Sequence, residues 1–305
     1  MPEFYPAPAL PEWTLDLLPP DPRRYMVEVG DYRMHVMEYG EGYPLLMVHG
    51  NPTWGFLYRK IVKELMGEGF RIILPDLIGL GYSEKPKSME SHSLQHHIDW
   101  LAKLIGQLDL ESCICVNQDW GGAISMGALA QYPGLLKGLV VLNTVLGPPR
   151  EGFKATGFHR FAHNHGLSDI AFRVFGFPQR MLHRVQGDPE SIKGMVARSY
   201  YWPLRGMGNN AAPLALARMV PDDLDHPSVP VLEKVRSFTE SFKGPTSLVW
   251  GMNDPILKKL LNRTKRMLPH ASVRETQAGH FLQEEVPEEI AQAIREVRQQ
   301  LASPA

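Results

Sequence analysis

Short apolar runs alternate with segments of helical period along most of this chain. Residues 24–29 and 32–39 are strand-like and flank Gly30-Asp31, the pattern of a hairpin, and 45–48 is a continuous apolar run of the kind buried on both sheet faces. Residues 54–66 carry a helical period, 71–75 form another short apolar strand, and 93–108 read as a helix after a polar stretch. The rhythm continues with a strand over 113–118, a helix over 123–130 and a strand over 138–143. Strands alternating with helices predict a parallel, doubly wound α/β sheet.

From about residue 146 to 230 the alternation stops. This stretch holds no strand of the sheet type, only helical segments separated by Gly and Pro, among them 168–176 and 189–199. It predicts an inserted helical cap over 147–230. A strand over 246–250, a helix over 255–267, a strand over 272–276 and an amphipathic closing helix over 287–301 then complete the core, which comprises 23–146 and 231–305. Residues 1–22 form a Pro-rich arm carrying Phe4, Tyr5 and Trp13, expected as an extended strap over the domain.

Composition changes this picture little. The chain has 305 residues, of which 44% are apolar and 21% charged, enough for one α/β domain with an insertion. A net charge of −1 offers no case for nucleic acid or an anionic membrane as partner. Cys113 and Cys115, two apart on one strand, lack disulfide geometry and read as core thiols of a reducing compartment. Residues 1–22 have no basic leader region and no apolar run reaches spanning length, so a cytoplasmic location is expected. The apolar arm leaves room for self-association as a homo-oligomer.

The chemistry centres on Val116-Asn117-Gln118-Asp119-Trp120-Gly121-Gly122, where strand, tight turn and helix meet. Such an elbow lifts one side chain clear of the sheet and aims the next residue's N–H at charge that develops during reaction. Here the lifted residue is Asp119. A serine attacking an alkyl carbon would leave an ether, whereas a carboxylate leaves an ester that water can cleave at its carbonyl. The predicted substrates therefore carry an electrophilic alkyl carbon: alkyl halides, epoxides or strained rings.

Partners occur at strand ends in a telling order. Asp254 follows the strand over 246–250 and His280 sits in the loop after the last strand. Nucleophile, acid, histidine is the chain order of an α/β-hydrolase. His280 is the expected general base toward water and Asp254 its orienting acid. His49-Gly50-Asn51-Pro52-Thr53-Trp54, between a buried strand and a helix, is expected to supply the second oxyanion N–H. The Asn51 amide and the Trp120 indole are uncharged donors suited to holding a departing halide.

These residues, with Phe56-Leu57-Tyr58-Arg59, Asp76-Leu77-Ile78-Gly79-Leu80-Gly81-Tyr82-Ser83-Glu84-Lys85-Pro86 and Gly279-His280-Phe281, resemble the haloalkane dehalogenase family of the α/β-hydrolase superfamily. The resemblance runs from about Tyr25 to the end. It implies hydrolysis of haloalkanes to alcohol and halide through an alkyl ester on Asp119, with Asn51 and Trp120 binding halide and forming the oxyanion hole, and Asp254 with His280 completing hydrolysis. One branch of the family takes its acid as a glutamate after the strand before the cap, but 140–150 contains no carboxylate. Another uses a cap tryptophan as the second halide donor, a role for which Trp202 is the candidate. The set Asp119, His280, Asp254, Asn51 and Trp120 is similar to a third arrangement, which also resembles enzymes that decarboxylate long-chain β-lactones to alkenes.

An epoxide hydrolase is a further alternative, with Tyr200 and Tyr201 as candidate proton donors. A receptor or scaffold built on the same fold would not need an intact Asp119, Asp254 and His280. His159, His163 and His165 lack the cysteine or carboxylate that would complete a metal site. No phosphate loop or dinucleotide fingerprint occurs. The expectation is a small apolar halogenated or lactone substrate, with neither cofactor nor metal.

Overall fold

In the computed structural model, which describes residues 4–153, 157–206 and 208–302, one nine-stranded sheet organises the chain. Residues 1–3 of the expected arm, 154–156 and 207 of the expected cap and 303–305 of the core lie outside the described residues. The strands are β1 (Phe4–Pro6), β2 (Arg23–Glu28), β3 (Arg33–Tyr39), β4 (Tyr43–Val48), β5 (Phe70–Pro75), β6 (Cys113–Asp119), β7 (Leu136–Thr144), β8 (Thr246–Gly251) and β9 (Ser272–Thr276). Their spatial order is β1-β2-β3-β5-β4-β6-β7-β8-β9. The first three pairings, through β3 with β5, are antiparallel and all the others parallel. The sheet is thus mostly parallel, with helices on both faces. The central strands are buried throughout, as runs such as Leu45-Leu46-Met47-Val48 require.

The helices are α1 (Glu12–Leu15), α2 (Arg59–Leu65), α3 (Leu94–Ile105), α4 (Trp120–Leu129), α5 (Gly157–Ala162), α6 (Leu167–Arg173), α7 (Gly194–Tyr201), α8 (Ala211–Arg218), α9 (Ser228–Ser241), α10 (Leu261–Met267) and α11 (Pro287–Ala302). Ser93 caps α3 through its hydroxyl, which accepts from the His96 N–H. On one face Ile98, Leu101 and Ile105 of α3 and Ile124 and Leu129 of α4 join the core, and on the other Ile61 of α2 packs with Ile290, Ile294 and Val297 of α11.

Several boundaries differ from the periodicity. The helix expected over 54–66 opens as a 3-10 turn, Gly55–Tyr58, before α2. That expected over 189–199 splits into a 3-10 turn, Pro189–Ile192, and α7, because Gly194 has φ +55°. Helix α9 is not among the elements the periodicity predicts; its Leu232 and Val235 enter the core beside α3 and α4. The arm does more than lie along the surface: β1 pairs antiparallel with β2, and Trp13 meets Trp202 edge-on at 5.5 Å between ring centroids.

Helices α5, α6 and α8 share a small apolar cluster of Ala162, Phe172, Leu214 and Ala217, separate from the two clusters that flank the sheet. Among the described residues no helix is long and apolar enough to cross a membrane.

Candidate active site

Strand β6 ends at Asp119, whose backbone stands at φ 51°, ψ −132°. A residue with a side chain rarely adopts this conformation, and it is stable only where the surroundings impose it. Three glycines make the crowding tolerable. A Cβ on Gly121 would lie 2.2 Å from the Val48 carbonyl oxygen, one on Gly122 2.0 Å from Thr144 Oγ1, and one on Gly50 2.3 Å from Asp119 Cβ. The turn therefore presses directly against the end of β4 and the loop after it. Thr144 Oγ1 donates to the Asp119 carbonyl oxygen and ties the elbow to β7.

This packing aims two backbone donors at one carboxylate oxygen. The N–H groups of Asn51 and Trp120 donate to Asp119 Oδ2 at 3.0 and 2.6 Å. The other oxygen, Oδ1, lies 3.4 Å from His280 Nε2. At 17% side-chain exposure, Asp119 is shielded but still reachable.

His280 is buried, and its Nδ1 stands 2.9 Å from Asp254 Oδ2. Asp254 is fully buried and receives two further hydrogen bonds, from Asn143 Nδ2 at 2.8 Å and the Ile256 N–H at 2.7 Å. Asn143 is itself locked, accepting from the Gly251 N–H at 2.7 Å and donating to the Gly251 carbonyl at 3.0 Å. Burial alone would lower the pKa of His280. The carboxylates of Asp254 and Asp119 on its two sides outweigh burial and lift it to about 10. For Asp254 burial raises the pKa, but His280 and the donors around the carboxyl prevail and lower it.

The supporting loops are equally tied. His49 accepts from the Leu77 N–H at Nε2, 2.9 Å, so its Nδ1 carries the proton toward the Gly50 carbonyl at 2.9 Å. Burial lowers its pKa and keeps it neutral. Buried Asp76 accepts from the N–H of Gly55 and of Tyr82, each at 2.8 Å, and pairs with His35 at 2.8 Å. It thereby joins the Asn51 loop to the Gly79–Pro86 motif. Glu284, four residues past His280, forms a buried two-pronged pair with Arg59 and fixes the histidine loop to α2.

Sequence reasoning anticipates neither Asn143 nor a role for Gln118. Gln118 Nε2 donates to the His280 carbonyl at 3.0 Å and lies 3.3 Å from its Nε2. The available signal is a polar residue in an otherwise apolar strand: Asn143 follows Leu139-Val140-Val141-Leu142 in β7, and Gln118 stands near the end of β6.

The remaining candidates fall into different places. The Asn51 amide donates to the Pro213 carbonyl of α8 at 2.9 Å, and its Oδ1 has no partner; one of its two N–H bonds stays uncommitted. Trp120 opens α4 and is almost buried. Tyr200 is not positioned as an epoxide acid: its hydroxyl donates to Glu284. Tyr201 accepts from Arg180 at 2.8 Å, and Trp202 packs against Trp13 and Arg205. His163 stands near Asp222 at 3.7 Å and the Val220 carbonyl at 3.4 Å. His159, considered above only as a ligand, feels the charges of both Asp119 and His280, although burial dominates and lowers its pKa to about 4.

A family model described as alpha/beta hydrolase fold matches residues 43–184. A haloalkane dehalogenase of Mycolicibacterium paratuberculosis is 30% identical over 88% of this chain and 88% of its own length. A cis-3-alkyl-4-alkyloxetan-2-one decarboxylase of Shewanella oneidensis is also 30% identical, over 92% of this chain and 89% of its own. The crystal structure of the haloalkane dehalogenase DatA from Agrobacterium tumefaciens superimposes with a TM-score of 0.83 at 25% identity, covering 93% of this chain and 99% of that one. With its α/β-hydrolase sheet and these relatives along nearly its whole length, the chain belongs to the haloalkane dehalogenase family of hydrolases, which act on carbon–halide bonds.

Proposed function

We propose that this protein converts haloalkanes to alcohol and halide through an alkyl ester on Asp119. The observation that carries this reading is the division of labour between the two Asp119 oxygens. Oδ2 is held by two backbone N–H groups, and Oδ1 faces His280, which is backed by Asp254.

In the first step Oδ1 attacks the carbon bearing the halogen, and the carbon–halogen bond breaks with its electron pair leaving on the halide. The Trp120 indole and the uncommitted Asn51 N–H receive that anion. Water then attacks Cγ of the ester while His280 Nε2 takes its proton, and the N–H groups of Asn51 and Trp120 hold the negative charge that grows on Oδ2. Collapse expels the alkoxide, which takes the proton from His280, and the proton left on the new carboxyl group passes to the freed imidazole and on to solvent, which restores the carboxylate.

Ester formation also prepares the base. While Asp119 is ionised it helps raise the pKa of His280. Esterification removes that charge, so the imidazole becomes a readier proton acceptor at the step that needs one. No cofactor enters this scheme. The insertion over 147–230 closes over Asp119 as a cap and sets the length of substrate accepted.

A second reading, decarboxylation of a β-lactone to an alkene, is favoured by the Shewanella oneidensis relative at the same identity. It keeps Asp119 as nucleophile on a strained ring. For epoxide hydrolysis one candidate acid, Tyr200, has its hydroxyl proton committed to Glu284, whereas Tyr201 accepts from Arg180 and keeps its own proton.

Bromide release from a short and a long bromoalkane, with Asp119→Asn as control, tests the first reading. Release by the wild type alone supports it. No release, together with alkene and carbon dioxide from a cis-dialkyl β-lactone, replaces it with the second.

A further inference from the structure

Helix α6 (Leu167–Arg173) and the residues that follow it divide sharply into two faces. Phe172 is buried in the cluster it shares with Ala162, Leu214 and Ala217, and Phe177 packs edge-on against Phe172 at 5.2 Å. The opposite side carries Leu167, Ile170, Val174 and Phe175, which are 63, 53, 61 and 67% exposed. Leu167, Ile170 and Val174 follow one another at spacings of three and four and so form one stripe. Single exposed apolar side chains are ordinary, but a stripe of them on one helix marks a contact surface. The inner side of α6 is already filled by its own cluster, and among the described residues the stripe stays uncovered.

The charges around the stripe say what kind of partner fits. Along the sequence from Gly157 to Val185 there are four arginines, Arg160, Arg173, Arg180 and Arg184, and a single carboxylate, Asp169, while from outside that stretch Asp222 stands 3.7 Å from His163. That carboxylate is already engaged by Arg218 at 2.8 Å. Arg173, three residues after Ile170, borders the stripe directly. An apolar stripe with a basic margin is the pattern of a segment that lies in a lipid interface, apolar side chains among the acyl chains and cations at the headgroups.

We propose that α6 docks this protein on an anionic lipid surface through Leu167, Ile170, Val174 and Phe175, with Arg173 at the headgroups. The overall charge of −1 conceals this local excess of cations. The docking is independent of the reaction assigned to Asp119.

Co-sedimentation of the full-length protein with phosphatidylglycerol/phosphatidylcholine vesicles, and with phosphatidylcholine alone, tests it. The wild type should bind the anionic vesicles preferentially, and added salt should weaken binding. Ile170→Asp with Val174→Asp should reduce binding at least about tenfold, by removing apolar contacts and adding repulsive charge. Arg173→Ala should reduce it about fivefold, the worth of one cation near an anionic surface. All these side chains are exposed or half-exposed, and an unchanged circular dichroism spectrum and Tm would show that the variants remain folded. Wild type that stays in solution with both vesicle types overturns the proposal, as does equal binding by the Asp variant. So does an oligomer, seen by light scattering, that the Asp substitutions dissolve while no vesicle binding occurs.

Discussion

Replacing His280 by Phe separates the two halves of the proposed reaction. The imidazole is buried between Asp254 at 2.9 Å and Asp119 at 3.4 Å, and it is the group placed to deprotonate water. Alkylation of Asp119 needs no base, so the first step survives. Loss of a general base slows the second by about 10²–10⁴-fold, equivalent to roughly 2.7–5.5 kcal/mol in its barrier. The ring of Phe fills similar space, but it leaves Asp254 without its counter-charge, which destabilises the fold by up to about 3–5 kcal/mol. Asn143 and the Ile256 N–H still hold the Asp254 carboxylate and moderate that loss. Rapid-quench measurement of bromide should show one equivalent released per enzyme, followed by near-standstill. Intact-mass analysis should find the enzyme heavier by one alkyl group, at a peptide containing Asp119. Continued turnover within about tenfold of wild type would refute the assignment of His280 as base. Absence of both burst and adduct from a folded variant would refute the division into two steps.

The same variant tests the charge of the histidine in the resting protein. A His280 pKa raised from 6.5 to about 10 contributes stability that is complete below 6.5 and lost as pH rises through about 10. Wild-type Tm should therefore fall more than that of His280→Phe over this window; parallel curves would contradict the raised value. Asp254→Asn removes the charge that raises His280 most, so kcat should fall and the acid limb of its pH profile should move to lower pH. An unmoved limb would mean that another group controls it. Asn51→Ala should weaken halide inhibition by about 0.5–1.5 kcal/mol for the lost hydrogen bond, and an unchanged inhibition constant would remove Asn51 from the halide site. Gly121→Ala places a methyl group 2.2 Å from the Val48 carbonyl oxygen and should destabilise by about 1–3 kcal/mol or more. Denaturant unfolding at wild-type stability would show that the elbow has slack there.

What the sequence determined by itself was local or ordered along the chain. Side-chain period marked β2 through β9 and helices such as α3 and α11, because burial on one face or both imposes that period within a few residues. The elbow was recognisable because strand, glycines and helix are contiguous, and Asp119, Asp254 and His280 stood out because each follows a strand in a set order. The proposed ester chemistry rests on a carboxylate in that position. Others escaped, among them β1, three residues held by pairing with β2, and α9, whose buried stripe of Ser228, Leu232, Val235 and Thr239 is half polar and which is held by packing on α3 and α4.

Tertiary structure alone decided which polar groups meet. Asn143 reaches Asp254 across 111 residues, and Gln118 reaches His280 across 162. It also decided that Tyr200 serves Glu284, that Trp202 packs on the arm, and that half of the Asn51 amide is taken by α8. Residue type states only that such a group can donate or accept. Whether a buried donor is free for chemistry depends on which distant acceptor the fold brings within about 3 Å of it, and only the packed chain sets that distance.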